Sequence, residues 1–407
     1  MPRSICIVSP GNLASNPRLL KEADALHEAG YTVTAVVCDY TDALRSFDDD
    51  IAARVPWSVV RVARPPLDGP TRFVAGRFAA LLAAAGAGVP VALAAQAYGG
   101  PVVGLRRAAV GVPADLYIGH YMAGLVAAAG AARRRGAMLG FDAEDYHAGE
   151  GTQQAMTMVR AIEKVLLPSC RHVTAAAPLI ADAYASRYGV TATTVLNVFP
   201  LNMAAAERRP SAGGGPLRAY WFSQTIGLDR GLQSFVRAMA QARVPVTLDV
   251  RGSNRWGHGD RLLELARELG VEGRVTLLPV APPAEMVTLS ASYDLGLSLE
   301  TDVSENRRLC LTNKIFTYLL AGVPVLLSTT PAQCALAPAL GEAARLAPLD
   351  DPATMARVLE ELAAPEAREA ASAAAWRLGR ERYNWEVEKG ALLRAVGQAF
   401  DDARAAA

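Results

Sequence analysis

The chain has 407 residues, with 41 Lys and Arg against 40 Asp and Glu, 51% hydrophobic and 20% charged residues. That length and apolar content argue against a disordered polymer or a single small domain, and for two domains of about 150–200 residues each. A net charge of +1 without a basic block argues against a nucleic-acid partner, and five scattered cysteines without a CxxC pair argue against a disulfide framework or a thiolate zinc site.

The cysteine usage fits a reducing cytoplasm, and the start Met1-Pro2-Arg3-Ser4-Ile5 runs into an apolar strand without the marks of a secretion signal. Strands are expected at 5–9, 33–39, 58–63, 116–120, 138–142, 173–176 and 194–198. Between the first two, 17–29 reads as a helix, with Ser15-Asn16 as its cap and Gly30 as its stop. The loop after the first strand has Gly11 at its turn but no GxGxxG fingerprint, so a nicotinamide or flavin site is not indicated. Asp48-Asp49-Asp50 reads as a solvated polar turn rather than a metal-binding pair. From Phe78 to Leu105 no residue is charged, and Gly86, Gly88 and Pro90 interrupt the run. Two short packed helices are expected there; a surface that touches membrane or an apolar acceptor, and a spanning helix, are the competing readings.

The polar, glycine-rich stretch 204–216 reads as a flexible interdomain linker. A second alternating series follows, with strands at 219–223, 247–251, 275–278, 295–299, 323–328 and 345–347, a helix at 231–242, and a helical tail from Asp351. The fold class is α/β: two doubly wound, Rossmann-like domains, whose default ligand site is the cleft at the carboxyl ends of their strands.

The segment Thr312-Asn313-Lys314 opens a helix that ends at Gly322 before a buried strand. A lysine in a first helical turn opposes the helix dipole by about 0.3–1 kcal/mol, a mismatch that an anionic ligand would relieve. Arg230, beside Gly231, stands at a second helix start of the same sheet edge. Two cations on two helix starts suit a diphosphate; surface ion pairing is the alternative.

At these residues the chain resembles the glycosyltransferases of the GT-B fold, most closely family four, the retaining enzymes that use nucleotide sugars. The resemblance is carried by Ser15-Asn16-Pro17-Arg18 with Leu20-Lys21-Glu22-Ala23, by Asp115 to His120, by Phe141 to Asp145, by Ser223 to Leu232, by Asn313-Lys314-Ile315-Phe316 through Gly322-Val323-Pro324-Val325, and by Trp385. It implies an acceptor domain over 1–203, a linker over 204–216, a nucleotide-sugar domain over 217–375, and a helical segment over 376–407 that returns to the first domain. It implies His120, Arg230 and Lys314 as catalytic residues. Donor contacts would come from Gly11, Ser223, Gln224, Thr225, Arg230, Gly252, Glu305, Asn306, Thr312, Asn313 and Lys314. Asn16, Arg18, Asp142, Glu144, Asp145 and His147 fall on the acceptor side. In many members two glutamates flank the Lys314 helix; Leu309 and Thr317 stand at those positions here.

The expected partner is therefore a nucleotide-diphosphate sugar, with no metal and no cofactor, and with transfer to a hydroxyl or amine of a small-molecule, glycan or lipid-linked acceptor. The residues 78–105 are the candidate contact for an apolar acceptor or the inner face of a membrane. Retention requires no protein base; with inversion, Asp142, Glu144, Asp145 and His147 are the candidates. A nucleotide-sugar-binding protein without turnover and a sugar-nucleotide epimerase are the alternatives.

Overall fold

The computed structural model describes residues 2–64, 69–208 and 215–405. The chain divides into two compact units, Met1–Leu196 with Lys389–Ala407, and Asn197–Glu388. Unit 1 holds a parallel sheet of seven strands: β1 (Ser4–Val8), β2 (Thr32–Asp39), β3 (Ser58–Ala63), β4 (Leu116–His120), β5 (Met138–Ala143), β6 (Cys170–Ala175) and β7 (Thr193–Thr194). Their order across the sheet is β3-β2-β1-β4-β5-β6-β7. Unit 2 holds six: β8 (Leu217–Thr225), β9 (Val246–Ser253), β10 (Val275–Leu278), β11 (Leu295–Ser298), β12 (Val325–Leu327) and β13 (Ala344–Leu346), in the order β10-β9-β8-β11-β12-β13.

Both sheets are thus α/β and doubly wound. The order reverses between β1 and β4 in one and between β8 and β11 in the other, and the chain diverges there to opposite faces, leaving a crevice at the strands' carboxyl ends. Alternate residues of the unit 2 strands point to one face: Leu217, Ala219, Trp221, Leu248, Val250, Leu295, Leu297 and Leu326 join one core with Phe235 and Met239 of the helix Leu232–Gln241. The helix Pro17–Glu28 begins as expected, the Leu19 N–H donating to Asn16 Oδ1 at 3.0 Å and Pro17 filling the first position.

Several expectations need correction. The charge-free stretch lies across three helices, Gly69–Ala84, Val91–Tyr98 and Val102–Gly111, where two were expected. The first starts well before Phe78, because its exposed Thr71, Arg72 and Arg77 continue the helix upstream of the apolar run. Among the described residues no helix is long and apolar enough to cross a membrane. Asp48-Asp49-Asp50 lies in the helix Arg45–Ala52, and Asp48 is buried, accepting from Asn12 Nδ2 at 2.8 Å and from the Ala14 N–H at 2.9 Å. It holds the loop after β1 rather than facing solvent. Of the linker, 209–214 lies outside the described residues, while 204–208 is fixed within unit 2: the Ala205 carbonyl accepts from Arg380, and Arg208 pairs with Glu369 and donates to Ser372 Oγ at 3.2 Å. The final helix, Trp385–Ala405, begins in unit 2 and continues from Lys389 in unit 1, where Phe400 stacks on Tyr31 at 5.8 Å and Lys389 Nζ bonds Glu28 at 2.9 Å.

Candidate active site

In unit 2 the crevice between β8 and β11 carries a cluster built on one carboxylate. Glu300 follows β11 and is only 1% exposed. Lys314 Nζ lies 3.3 Å from its Oε1, Arg230 Nη1 lies 3.5 Å from its Oε2, and Arg307 Nη1 bonds the same Oε2. Burial alone would push the Glu300 carboxyl up, but Lys314, Arg307 and Arg230 together hold it below the ordinary value. The carboxylate's backbone is fixed as well, since Ser328 Oγ donates to the Glu300 carbonyl at 2.6 Å. Asp229, half exposed, also pairs with the cluster, its Oδ1 3.7 Å from Arg230 Nε and its Oδ2 3.8 Å from Arg307 Nη2. Arg230, Arg307 and Lys314 thus face Glu300 and Asp229. Arg230 Nε is buried and makes no hydrogen bond among the described residues, its contact with Asp229 being an ion pair at longer range.

Two helix starts face the same cluster. Arg230 precedes the helix Leu232–Gln241, whose cap is Gly231 with no side-chain bond. Gly231 has φ +68°, and a Cβ there would stand 2.7 Å from the Leu299 carbonyl oxygen, so only glycine brings Arg230 this close to β11. Lys314 sits in the first turn of Asn313–Ala321, and Thr312, expected as its side-chain cap, instead shares a 3.0 Å hydrogen bond with Ser298 Oγ. Both helices thus keep first-turn N–H groups without side-chain acceptors, the arrangement that binds anions. Lys314 Nζ also stands 5.8 Å above the Trp221 ring.

The remaining donor-side candidates lie nearby in sequence and fold but outside this knot. Ser223, Gln224 and Thr225 end β8 where its register with β9 shifts, and Gly252 lies on β9 beside them. Glu305 and Asn306 open the short helix Glu305–Leu309, with Asn306 buried and Glu305 exposed, and Asn313 is exposed at the start of the Lys314 helix. Thr317 is buried and donates to the Asn313 carbonyl at 3.0 Å. Gly11 belongs to unit 1, where it lines a cavity.

Unit 1 has its own buried cluster at the β1/β4 crevice. His120 ends β4; its Nε2 lies 2.6 Å from Glu22 Oε2, and its Nδ1 faces Asp142 Oδ2 at 3.6 Å and Asn16 Nδ2 at 3.5 Å. Arg18 grips Asp142 with two bonds of 2.7 Å and donates to the Val195 carbonyl at 2.8 Å, while Thr174 Oγ1 donates to Asp142 at 2.5 Å. Burial opposes protonation of His120, but Glu22 and Asp142 raise it overall. For Asp142, burial is outweighed by Arg18 and His120, and its carboxyl is held well below the usual range. Glu22, His120 and Asp142 place ligand atoms within 4.8 Å of one another, the spacing of a metal site, and Asp142 there is also paired with Arg18.

The structure thus brings Asn16, Arg18, Asp142 and His120 together and turns the His120 ring inward, 1% exposed. The next residue, Tyr121, has φ +56°, the only non-glycine residue with positive φ among the described residues, and its hydroxyl donates to Glu144 at 2.9 Å. Burial raises the Glu144 carboxyl and lowers the His147 imidazole, whose ring packs 5.9 Å from Tyr121. Asp145 offers its backbone carbonyl to Tyr184 Oη at 3.4 Å. Glu300, Arg307, Glu22 and Tyr121 were not singled out from the sequence. Glu300 had a legible signal, an acid directly after a buried strand; the others are marked only by the fold.

Two Rossmann-like units with these strand orders define the GT-B fold. HepE from Anabaena in complex with UDP is similar to the chain at a TM-score of 0.70 and 15% identity, over 97% of this chain and 99% of that one. Sucrose-phosphate synthase from Thermosynechococcus elongatus gives a TM-score of 0.70 at 15% identity over 100% of both chains, and a glycosyltransferase from Rickettsia africae gives 0.69 at 9% over 98% and 99%. No family model matches the chain, and no curated protein matches it.

Proposed function

We propose that the chain is a glycosyltransferase that moves a sugar from a nucleotide-diphosphate sugar to a hydroxyl or amine of an acceptor, with retention and without a metal. The observation that carries this reading is the convergence of Arg230, Arg307 and Lys314 on Glu300 at the β8/β11 crevice, beside two uncapped helix starts. The chemical demand in glycosyl transfer is to stabilise a departing nucleoside diphosphate. Preorganised cations and backbone N–H groups meet that demand without reorganising at the moment of reaction. Glu300 holds the three cations in place, and these cations with the helix starts then receive the phosphate oxygens. HepE, of the same fold, has been solved with UDP, with UDP and glucose, and with UDP-glucose, which supports a nucleotide sugar as the donor here.

Unit 1 binds the acceptor in this reading. The resemblance gives His120 a contact with the donor sugar; because its ring nitrogens face Glu22 and Asp142, we assign it to holding the strained turn at Tyr121. With retention, the leaving phosphate oxygen takes the acceptor proton and no protein base is needed.

Isothermal calorimetry with UDP, GDP and their glucose conjugates tests the donor site. Binding of one of them, weakened at least about tenfold in Lys314→Ala while the variant melts cooperatively, is the expected result. Unchanged affinity in that variant would remove the assignment. Nucleoside diphosphate release only in the presence of an acceptor separates transfer from binding without turnover.

A further inference from the structure

Unit 1 carries a cavity of about 830 Å³, open to solvent, at the carboxyl ends of β1, β2 and β4, a size suited to a small organic molecule. Its lining has a consistent chemistry. Four aromatic rings contribute, Tyr40, Phe73, Tyr98 and Tyr121, and Arg72 is the single charged residue; no carboxylate lines it among the described residues. Tyr40 and Phe73 are 46% and 65% exposed, a large apolar area to leave facing water without an occupant.

Arg72 is held for a purpose the fold does not itself supply. It stands in the first turn of the helix Gly69–Ala84, where a cation opposes the dipole, and no acidic side chain among the described residues lies within ion-pairing distance of it. Its Nε donates to the Ala97 carbonyl at 3.2 Å, which fixes the guanidinium plane. The loop at Gly99 is shaped around it: φ there is +88°, and a Cβ would stand 2.9 Å from Arg72 Nε. Two further cations add to the field through the aromatic walls, Arg64 lying 5.0 Å from the Tyr40 ring centre and Arg77 5.9 Å from that of Phe73. Tyr121, with its strained backbone, forms the side of the cavity next to the β4 crevice.

The geometry points to an acceptor that is aromatic and carries an anionic group, its ring against Tyr40, Phe73, Tyr98 and Tyr121 and its carboxylate or phosphate on the Arg72 guanidinium. This rests on the assignment of unit 1 as the acceptor side. An arginine with one nitrogen anchored presents its remaining N–H groups as a fork for two anion oxygens, and aromatic walls select a flat body.

Two fluorescent phenols on the full chain test it: 7-hydroxycoumarin-3-carboxylate and the uncharged-ring 7-hydroxy-4-methylcoumarin, with UDP titrated separately by calorimetry. The carboxylate is expected to bind at least about tenfold more tightly, and Arg72→Gln to erase that preference while the methyl compound changes by less than about twofold. Arg72→Lys, which keeps the charge, restores part of the preference. Equal affinities in the unaltered chain, or a preference that survives Arg72→Gln, would overturn the assignment. The retained affinity of Arg72→Gln for the methyl compound shows that the cavity is intact in the variant. Loss of the transferase reading is visible separately, as a chain that binds the carboxylate through Arg72 but no nucleotide.

Discussion

In the proposed reading Glu300 is the residue on which the donor site is assembled, a buried acid surrounded by three cations that would themselves receive another anion. Removing its charge isolates the cost. Glu300→Gln leaves Lys314, Arg307 and Arg230 repelling one another in a poorly hydrated crevice, and a loss of about 3 kcal/mol in unfolding free energy is expected. A nucleoside diphosphate then replaces the missing negative charge, so UDP should raise the melting temperature of Glu300→Gln by more than that of the unaltered chain. Thermal melts with and without UDP decide this; equal increments would mean that the ligand does not meet these cations. Lys314 and Arg230 were legible from the sequence because each sits beside a helix-start pattern, and a misplaced charge there is a local signal. Their convergence on one carboxylate was not, since Arg230 and Glu300 are 70 positions apart and only the sheet order joins them.

The elements that deliver these residues are a strand, a turn and a helix start, and the turn is the sensitive part. At Gly231 the backbone is left-handed and its Cα faces Leu299 at a distance that admits no methyl group. Gly231→Ala should cost about 2–4 kcal/mol from backbone strain and overpacking, and should lower nucleotide affinity by moving Arg230. Denaturant unfolding together with calorimetry measures both; a stable variant with unaltered affinity would show that the turn relaxes freely. All thirteen strands overlap segments expected as strands, though β7 is only Thr193–Thr194 where a strand over 194–198 was expected. The Ala- and Gly-rich helices were less legible. Helices with small and apolar side chains on every face have no apolar stripe to mark the buried one, and the ends fall at Gly86, with φ +71°, and at Gly99, with φ +88°.

Taken whole, each unit holds a buried glutamate whose contribution to stability changes with pH in the opposite sense to the other's. In unit 1, burial raises the Glu163 carboxyl to about 7, only partly relieved by hydrogen bonds from Tyr188 and Tyr184. A carboxyl raised on folding favours the native state while protonated, so its contribution is complete below the unfolded value of 4.5 and disappears as pH rises through about 7. That amounts to about 3 kcal/mol, and Glu163→Gln should narrow the difference in unit 1 unfolding between pH 5 and pH 8. Glu300 in unit 2 is depressed instead, so its contribution is present above 4.5 and lost on acidification. Hydrogen exchange resolved by segment distinguishes the two units; a single common pH dependence would contradict these signs.

The division of the chain also dictates an order of events during synthesis. Unit 1 is interrupted: the residues that stack Phe400 on Tyr31 and set Arg3 4.2 Å from the Phe400 ring are made only after the whole of Asn197–Glu388 has been translated. A nascent chain released from the ribosomal tunnel up to Glu388 therefore has every residue of unit 2 but lacks the closing helix of unit 1. The later-encoded unit is the first that is able to fold to completion, and the earlier one waits, with the Tyr31 surface uncovered, for the final helix to emerge.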